Sequence, residues 1–273
     1  MGCWPASTGL GRRETPPQAA GVWFLLIVDL AGKFAAVLVG WTAPVTALAL
    51  WFGPDALLAY HVFAHQAQGL VRMPRRFTTP RREVWLTIDD GPDPEDTPRL
   101  LGLLAEHGAR ATFFVIGEIA ARQPELIRQI TAAGHEVAHH THTHPLKAFW
   151  CASPARVGRE LDRGLEALRE AGVRPTRFRP PAGIKNLWLA HALRRRGLVC
   201  VGWSARGLER WPGGPDKVAD RALRGLAPGS ILLLHEGPRI PGLVRVAAIG
   251  RVLQRLQQQG YQCVIPAPGQ LGG

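Results

Sequence analysis

Val84-Trp85-Leu86-Thr87-Ile88-Asp89-Asp90-Gly91-Pro92 is a β-prone apolar run that stops on two carboxylates and a Gly-Pro turn. Such a run reads as a strand delivering Asp89 and Asp90 into a loop. The same theme recurs downstream. Helical spacing over 97–108, with Leu100, Leu101, Leu103 and Leu104 apolar and Gly108 as the stop, precedes a strand at 111–116. Helices at 124–133, 153–171, 186–196, 216–226 and 244–259 then alternate with strands at 136–138, 176–179, 198–203, 230–234 and 260–265. Alternation of this kind requires parallel strands covered by helices. The fold class expected is therefore α/β, and about seven repeats predict a closed or nearly closed β/α barrel. Asp89, His140, Arg179 and His235 all fall at C-terminal ends of strands, the face where active sites form in such barrels.

Each of these strand ends carries chemistry. Asp89 and Asp90 are adjacent carboxylates, so one can bind a metal while the other stays free as a base; Asp-Asp-Gly-Pro is also good turn chemistry. Four of the ten histidines lie within 139–144. On a helical turn His140 and His144 would point the same way and grip one ion; in an extended segment His140, His142 and His144 would share a face. Arg179-Pro180-Pro181-Ala182-Gly183 follows a strand, with an arginine able to hold a carboxylate and an N–H of Ala182 free to face an oxyanion. His235 directly follows the apolar run 231–234, and an imidazole with an ordinary pKa near ~6.5 suits a general acid.

The N-terminal region differs. Residues 1–20 are rich in Gly, Pro, Ser and Thr and read as a flexible tail. From 21 to about 70 the chain is apolar, and 34–52 is a 19-residue stretch without charge. That length suffices to cross a bilayer, at ~20 apolar residues per span. Trp23, Trp41 and Trp51 are candidate interfacial anchors, and Asp29 and Lys33, four apart, would face and neutralise each other on a helix. A cleaved signal peptide fits poorly, because the run starts late and no small-x-small site follows. A buried helical pair remains open beside the preferred membrane anchor. Arg12 and Arg13 before the segment, and Arg72, Arg75, Arg76, Arg81 and Arg82 after it, favour a hairpin with both ends cytoplasmic.

Composition narrows the alternatives. The 273 residues are 46% hydrophobic, enough for a sizeable core, and 33 Lys and Arg against 21 acids give +12. The arginines are scattered rather than interleaved with aromatics, which argues against nucleic acid as a partner. Cys3, Cys151, Cys200 and Cys263 form no CxxC pair, so neither a zinc knuckle nor a disulfide framework is expected.

Taken in order, Thr87-Ile88-Asp89-Asp90-Gly91-Pro92, Gly134-His135-Glu136 through His140-Thr141-His142-Thr143-His144-Pro145, Arg179 to Gly183, and Leu233-Leu234-His235 resemble the signature motifs of the polysaccharide deacetylase family, also called the NodB homology domain or carbohydrate esterase family 4. Ala111-Thr112-Phe113-Phe114 also fits. The resemblance covers 83–265, leaving 266–273 as a tail. It implies a distorted seven-stranded β/α barrel and metal-dependent N-deacetylation of an amino sugar. It implies Asp89 as base, with Asp90, His140 and His144 holding a divalent metal, most simply zinc, with cobalt, nickel or manganese as substitutes. It implies that Arg179 positions Asp89 and that His235 is the acid. A substrate pocket of Pro181, Ala182, Trp203 and Leu233 follows from the same likeness, with His139 and Glu209 behind it.

There are departures. Ala182 stands where the family usually has an aromatic, and Trp203-Ser204-Ala205-Arg206-Gly207-Leu208-Glu209 replaces an Asp-rich motif, which leaves the partner of His235 open. These motivate a second expectation, a membrane-tethered glycan-binding protein with impaired catalysis. The apolar segment motivates a third, a lipid-linked or formylated amino sugar as substrate. The expected setting is a bacterial inner membrane, with the cytoplasmic face favoured by the flanking arginines.

Overall fold

A computed structural model describes residues 17–238, 242 and 244–271. The residues before 17, with Cys3, Arg12 and Arg13, lie outside the described part. The chain divides between Pro54 and Asp55 into two compact units.

The first unit is helical. Helix α1 spans Pro17–Val39 and α2 begins at Pro44 and runs to Phe63. The uncharged stretch 34–52 is therefore not one helix: residues 40–43 form a turn, with the Thr42 and Ala43 N–H groups both donating to the Val39 carbonyl. Pro44 sits at the start of α2, where its missing N–H costs nothing, rather than inside a span. Residues 17–20, expected in the tail, already belong to α1. The Lys33 ammonium donates to Asp29 at 2.9 Å, as the four-residue spacing requires. A Cβ on Gly32 would come 2.7 Å from the Leu50 carbonyl oxygen, so this glycine lets the two helices approach. Val22–Val39 and Pro44–Phe63 are each long and apolar enough to cross a membrane, with mean hydropathies of 2.2 and 1.2.

The second unit is a parallel sheet wrapped by helices. Its strands are β1 (Glu83–Asp89), β2 (Ala111–Val115), β3 (Glu136–His139), β4 (Arg177–Phe178), β5 (Val199–Cys200), β6 (Ala205–Arg206), β7 (Ile231–His235) and β8 (Gln262–Cys263). The helices are α3 (Asp96–Glu106), α4 (Gly117–Arg122), α5 (Pro124–Ala132), α6 (Pro154–Glu170), α7 (Leu189–Arg194), α8 (Gly214–Ala222) and α9 (Arg245–Gln258). Strand order is β5-β4-β3-β2-β1-β7-β6, with β8 pairing the start of β1. Every strand pair is parallel. The expected barrel is thus a curled, open half-barrel, since β5 and β6 at its two edges are not paired to each other. Two short elements, α4 and β6, escaped the pattern reading. Six helical residues and two strand residues are too few to display a period.

Strand alternation sorts the two cores. Val84, Leu86 and Ile88 of β1 pack with Leu100, Ile127 and Val252 under the helices. Trp85, Phe114, Ala138, Val201, Trp203 and Leu233 fill the inner side of the sheet. Helix α6 starts as its sequence dictates, with Ser153 accepting from the Arg156 N–H at 3.3 Å and Pro154 in the first turn. Residues 268–271, within the 266–273 tail, form a 3-10 turn that buries Leu271, and Gln270 pairs with Thr78 through two backbone-directed bonds of 2.9 and 3.0 Å.

Candidate active site

Alternation along β1 places Asp89 on the inner face with Trp85 and Thr87, at the C-terminal strand edge. Its neighbour in register across the sheet is His235, at the end of β7. Arg179, fully buried just past β4, donates to Asp89 Oδ1 at 2.7 Å and to Thr87 Oγ1 at 2.8 Å. Its other nitrogens bond the Val201 and Gly202 carbonyls at 3.2 and 2.8 Å, and its guanidinium lies 4.1 Å from the Phe114 ring centre. Arg179 is thus fixed on four sides, and it fixes Asp89.

Asp90 follows with φ 75, in the left-handed region that a β-carbon disfavours. That turn separates the two carboxylates and points Asp90 toward the imidazoles. Its Oδ1 lies 3.6 Å from His140 Nε2 and 3.2 Å from His144 Nε2. The three side chains bring one ligand atom each within 4.8 Å of one another, an arrangement that can hold a metal ion. His140 Nδ1 donates to the Arg179 carbonyl at 2.7 Å, which turns Nε2 toward Asp90. Burial opposes ionisation of Asp90, but the His140 bond and the charges of His140, His144 and His235 outweigh it and hold the carboxyl well below the usual range.

The four-residue histidine spacing is realised neither as a helix nor as a strand. Residues 140–144 form a loop in which Thr141 and His144 have φ of 64 and 53. Glu160 of α6 holds this loop, accepting from the His142 and Thr143 N–H groups at 3.0 and 2.8 Å and from the Thr143 hydroxyl at 2.8 Å. Glu160 was missed in the sequence. Its signal was an acid on the buried face of α6, between Val157 and Leu161.

His235 meets Glu209, whose carboxylate oxygens lie 3.1 and 3.2 Å from Nδ1 and accept the His235 N–H at 2.9 Å. Burial lowers the imidazole's pKa, but the Glu209 bond and the charges of Glu209, Asp89 and Asp90 raise it to about 9. Behind this strand end Glu236 is fully buried, with Thr97 Oγ1 donating to Oε2 at 2.6 Å and no hydrogen-bond partner for Oε1 among the described residues. Burial first, then Asp93, Asp96 and Asp90, push its carboxyl up to about 8.

Asp89, Asp90, His140, His144 and His235 line one cavity of about 200 Å³, closed by Leu146, Ala182, Trp203, Leu208, Glu209 and Leu233. Ala182 stands exposed at its wall with φ 52. Two expected residues do not join it. Pro181 is buried and is not among the lining residues; its carbonyl instead closes the turn by accepting from the Ile184 N–H at 3.0 Å. His139 lies on the helix side of β3, because strand alternation turns it opposite to Ala138 and His140. Its Nε2 lies 3.0 Å from the Leu161 carbonyl of α6, and its ring packs edge-on against Phe178. It is a core histidine rather than a support of the ligand set.

Two carboxylates, two imidazoles and a buried arginine meet at the C-terminal edge of a curled parallel sheet, in a half-barrel α/β domain whose Asp90, His140 and His144 could hold a metal ion beside a separate carboxylate. The sequence profile described as Polysaccharide deacetylase matches residues 76–201. A chitooligosaccharide deacetylase of Bradyrhizobium sp. (strain ANU 289) is 38% identical over 200 residues, covering 68% of this chain and 90% of the relative. A peptidoglycan-N-acetylglucosamine deacetylase of Bacillus cereus is 33% identical over 181 residues, covering 66% and 84%. The solved family 4 carbohydrate esterase from Streptomyces lividans, in complex with acetate, superposes with a TM-score of 0.62 at 34% identity, covering 68% of this chain and 94% of that one. The chain belongs to the polysaccharide deacetylase family.

Proposed function

We propose that this protein is a metal-dependent hydrolase that removes the N-acetyl group from an amino sugar of a glycan. The observation that carries the proposal is the convergence of Asp90, His140 and His144 on one point, beside an Asp89 already held by Arg179. A carboxylate and two imidazole nitrogens suit a zinc-class divalent ion with positions left open. When bound, such an ion supplies Lewis acidity to the amide carbonyl and makes the attacking water more acidic.

The remaining chemistry falls to the chain. Asp89, held in place by Arg179, takes a proton from the water as its oxygen attacks the acetamide carbon. Ala182, on the cavity wall, offers its N–H toward the oxygen that becomes negative. His235 presents Nε2 to the cavity because Nδ1 faces Glu209, and Nε2 gives its proton to the sugar nitrogen as the C–N bond breaks. Acetate and a free amino sugar result. The relatives named for chitooligosaccharide and peptidoglycan substrates support an N-acetylglucosamine-containing glycan. The Glu209 contact supplies His235 with the partner whose uncertainty motivated the binding-protein reading.

Residues 83–265 form the catalytic domain in this proposal, and α1 with α2 anchors it in a membrane as a hairpin. Asp89→Asn is the direct test of the base. Acetate release from an N-acetylated chitooligosaccharide is expected to fall by about 10³-fold or more with the cation still bound. Turnover within tenfold of wild type would remove Asp89 from the mechanism.

A further inference from the structure

Beside the catalytic cavity lies a second one of about 400 Å³. The two share Trp203, Arg206, Leu208 and Trp211 in their walls, so the second is a groove adjoining the first. The second cavity adds His65, Arg221 and Arg224, and among the described residues its lining contains no acid. Arg206 and Arg224 make no ion pair among the described residues, and both are exposed. Arg221 is held differently, its nitrogens donating to the carbonyls of Gly207, Pro212 and Trp211 at 2.9 to 3.4 Å. Those bonds fix the groove wall without neutralising the charge. His65 stacks on Trp203 at 4.9 Å and 6°. Burial, with the charges of Arg75, Arg206 and Lys185, lowers its pKa to about 4, so the ring is a neutral platform in a positive field.

An apolar sugar face could use Trp203 and Trp211, but a neutral glycan gives three guanidiniums nothing to pair with. Arg206 lines both cavities, so a sugar seated at the reacting carboxylates carries its substituents beside a guanidinium of the groove. From these features we infer that the groove binds a phosphate ester carried by the amino sugar that is deacetylated. A phosphate monoester holds close to two negative charges at neutral pH and several acceptor oxygens, a match for two unpaired guanidiniums beside a third pre-oriented one. A phosphodiester to a lipid carries the same oxyanion chemistry with one charge fewer. The inference rests on the deacetylase reading only for which sugar atom reacts; the anion subsite is a matter of binding.

The test uses the full-length, zinc-loaded protein and three substrates: methyl N-acetylglucosaminide, N-acetylglucosamine 1-phosphate, and the same sugar linked through phosphate to a short prenol. Acetate release should give a kcat/KM at least about tenfold higher for the phosphorylated sugars than for the methyl glycoside at low salt, and the advantage should shrink as salt rises. In the double variant Arg206→Ala/Arg224→Ala the ratio of phosphorylated to neutral kcat/KM should fall toward one; because the neutral sugar is measured on the same preparation, general damage cancels. A prenyl ester ahead of the free phosphate would identify a lipid source, and parity a soluble one. A wild-type ratio near one, or a ratio the double variant leaves intact, overturns the proposal. Calorimetric binding of N-acetylglucosamine 1-phosphate to Asp89→Asn separates the two readings. Arginine-dependent binding with no acetate from any substrate upholds the subsite and removes the deacetylase. Absence of both removes the subsite as well.

Discussion

Replacing Glu209 with glutamine keeps the shape of the group behind His235 and deletes its charge. In the native site both carboxylate oxygens lie within 3.2 Å of Nδ1, and Glu209 itself is buried, so little solvent screens the pair. The displacement of His235 from 6.5 to about 9 is worth about 3 kcal/mol in favour of the imidazolium. Against the pull of burial, Glu209 supplies the largest favourable part, and Asp89 and Asp90 the rest. Raised in the folded state, this group stabilises the protein fully below pH 6.5 and ceases to do so as pH rises through about 9. The same sign governs catalysis, because His235 must hold a proton to give to the leaving amine. In the Glu209→Gln variant the imidazole should return to about 7 or below, leaving roughly a tenth of it protonated at pH 8. The alkaline limb of kcat/KM for acetate release should therefore move down by at least about one pH unit, with about tenfold less activity at pH 8 and about twofold or less at pH 6. A bound cation lowers both midpoints together and leaves their difference. Coincident alkaline limbs, or a loss of equal size at every pH, would refute the claim that Glu209 tunes His235.

Other consequences can be measured separately. Glu236 keeps its proton up to about pH 8 in the folded chain but loses it near 4.5 when unfolded, so stability falls as pH rises between those values. Glu236→Gln should therefore gain on wild type by roughly 2–4 kcal/mol more at pH 8 than at pH 5 in denaturant titrations; a pH-independent difference would count against it. Glu160→Gln leaves one acceptor oxygen for three donors on the 142–143 segment, and cation affinity should drop about 10–100-fold in calorimetry while circular dichroism stays unchanged. Wild-type affinity in that variant would mean the loop holds itself.

Much of this was legible because strand ends announce themselves. The apolar runs before Asp89 and His235 fixed both their strands and the edge they occupy, and in the fold the two residues are register neighbours. The Asp29–Lys33 pair and the Ser153 cap are set by four- and three-residue spacings, which are local. What stayed hidden depends on contacts between distant segments. No spacing says that Glu160 reaches back 18 and 17 residues to brace His142 and Thr143, or that Gly91 must lack a side chain because a Cβ would come within 1.7 Å of Glu236. His139 was misjudged for a different reason. Proximity in sequence to His140 outweighed the alternation that sends neighbouring strand residues to opposite faces. The turn at 40–43 was masked because Gly40, Trp41, Thr42 and Ala43 carry no charge and hydropathy alone cannot see a break there.

Titration of the metal-free full-length protein with Zn²⁺, followed by elemental analysis, bears most directly on the account. One ion per chain is predicted, with affinity reduced about 100-fold or more in each of Asp90→Ala, His140→Ala and His144→Ala, and changed only a few-fold in Asp89→Asn. Undiminished binding in the three ligand variants would contradict it.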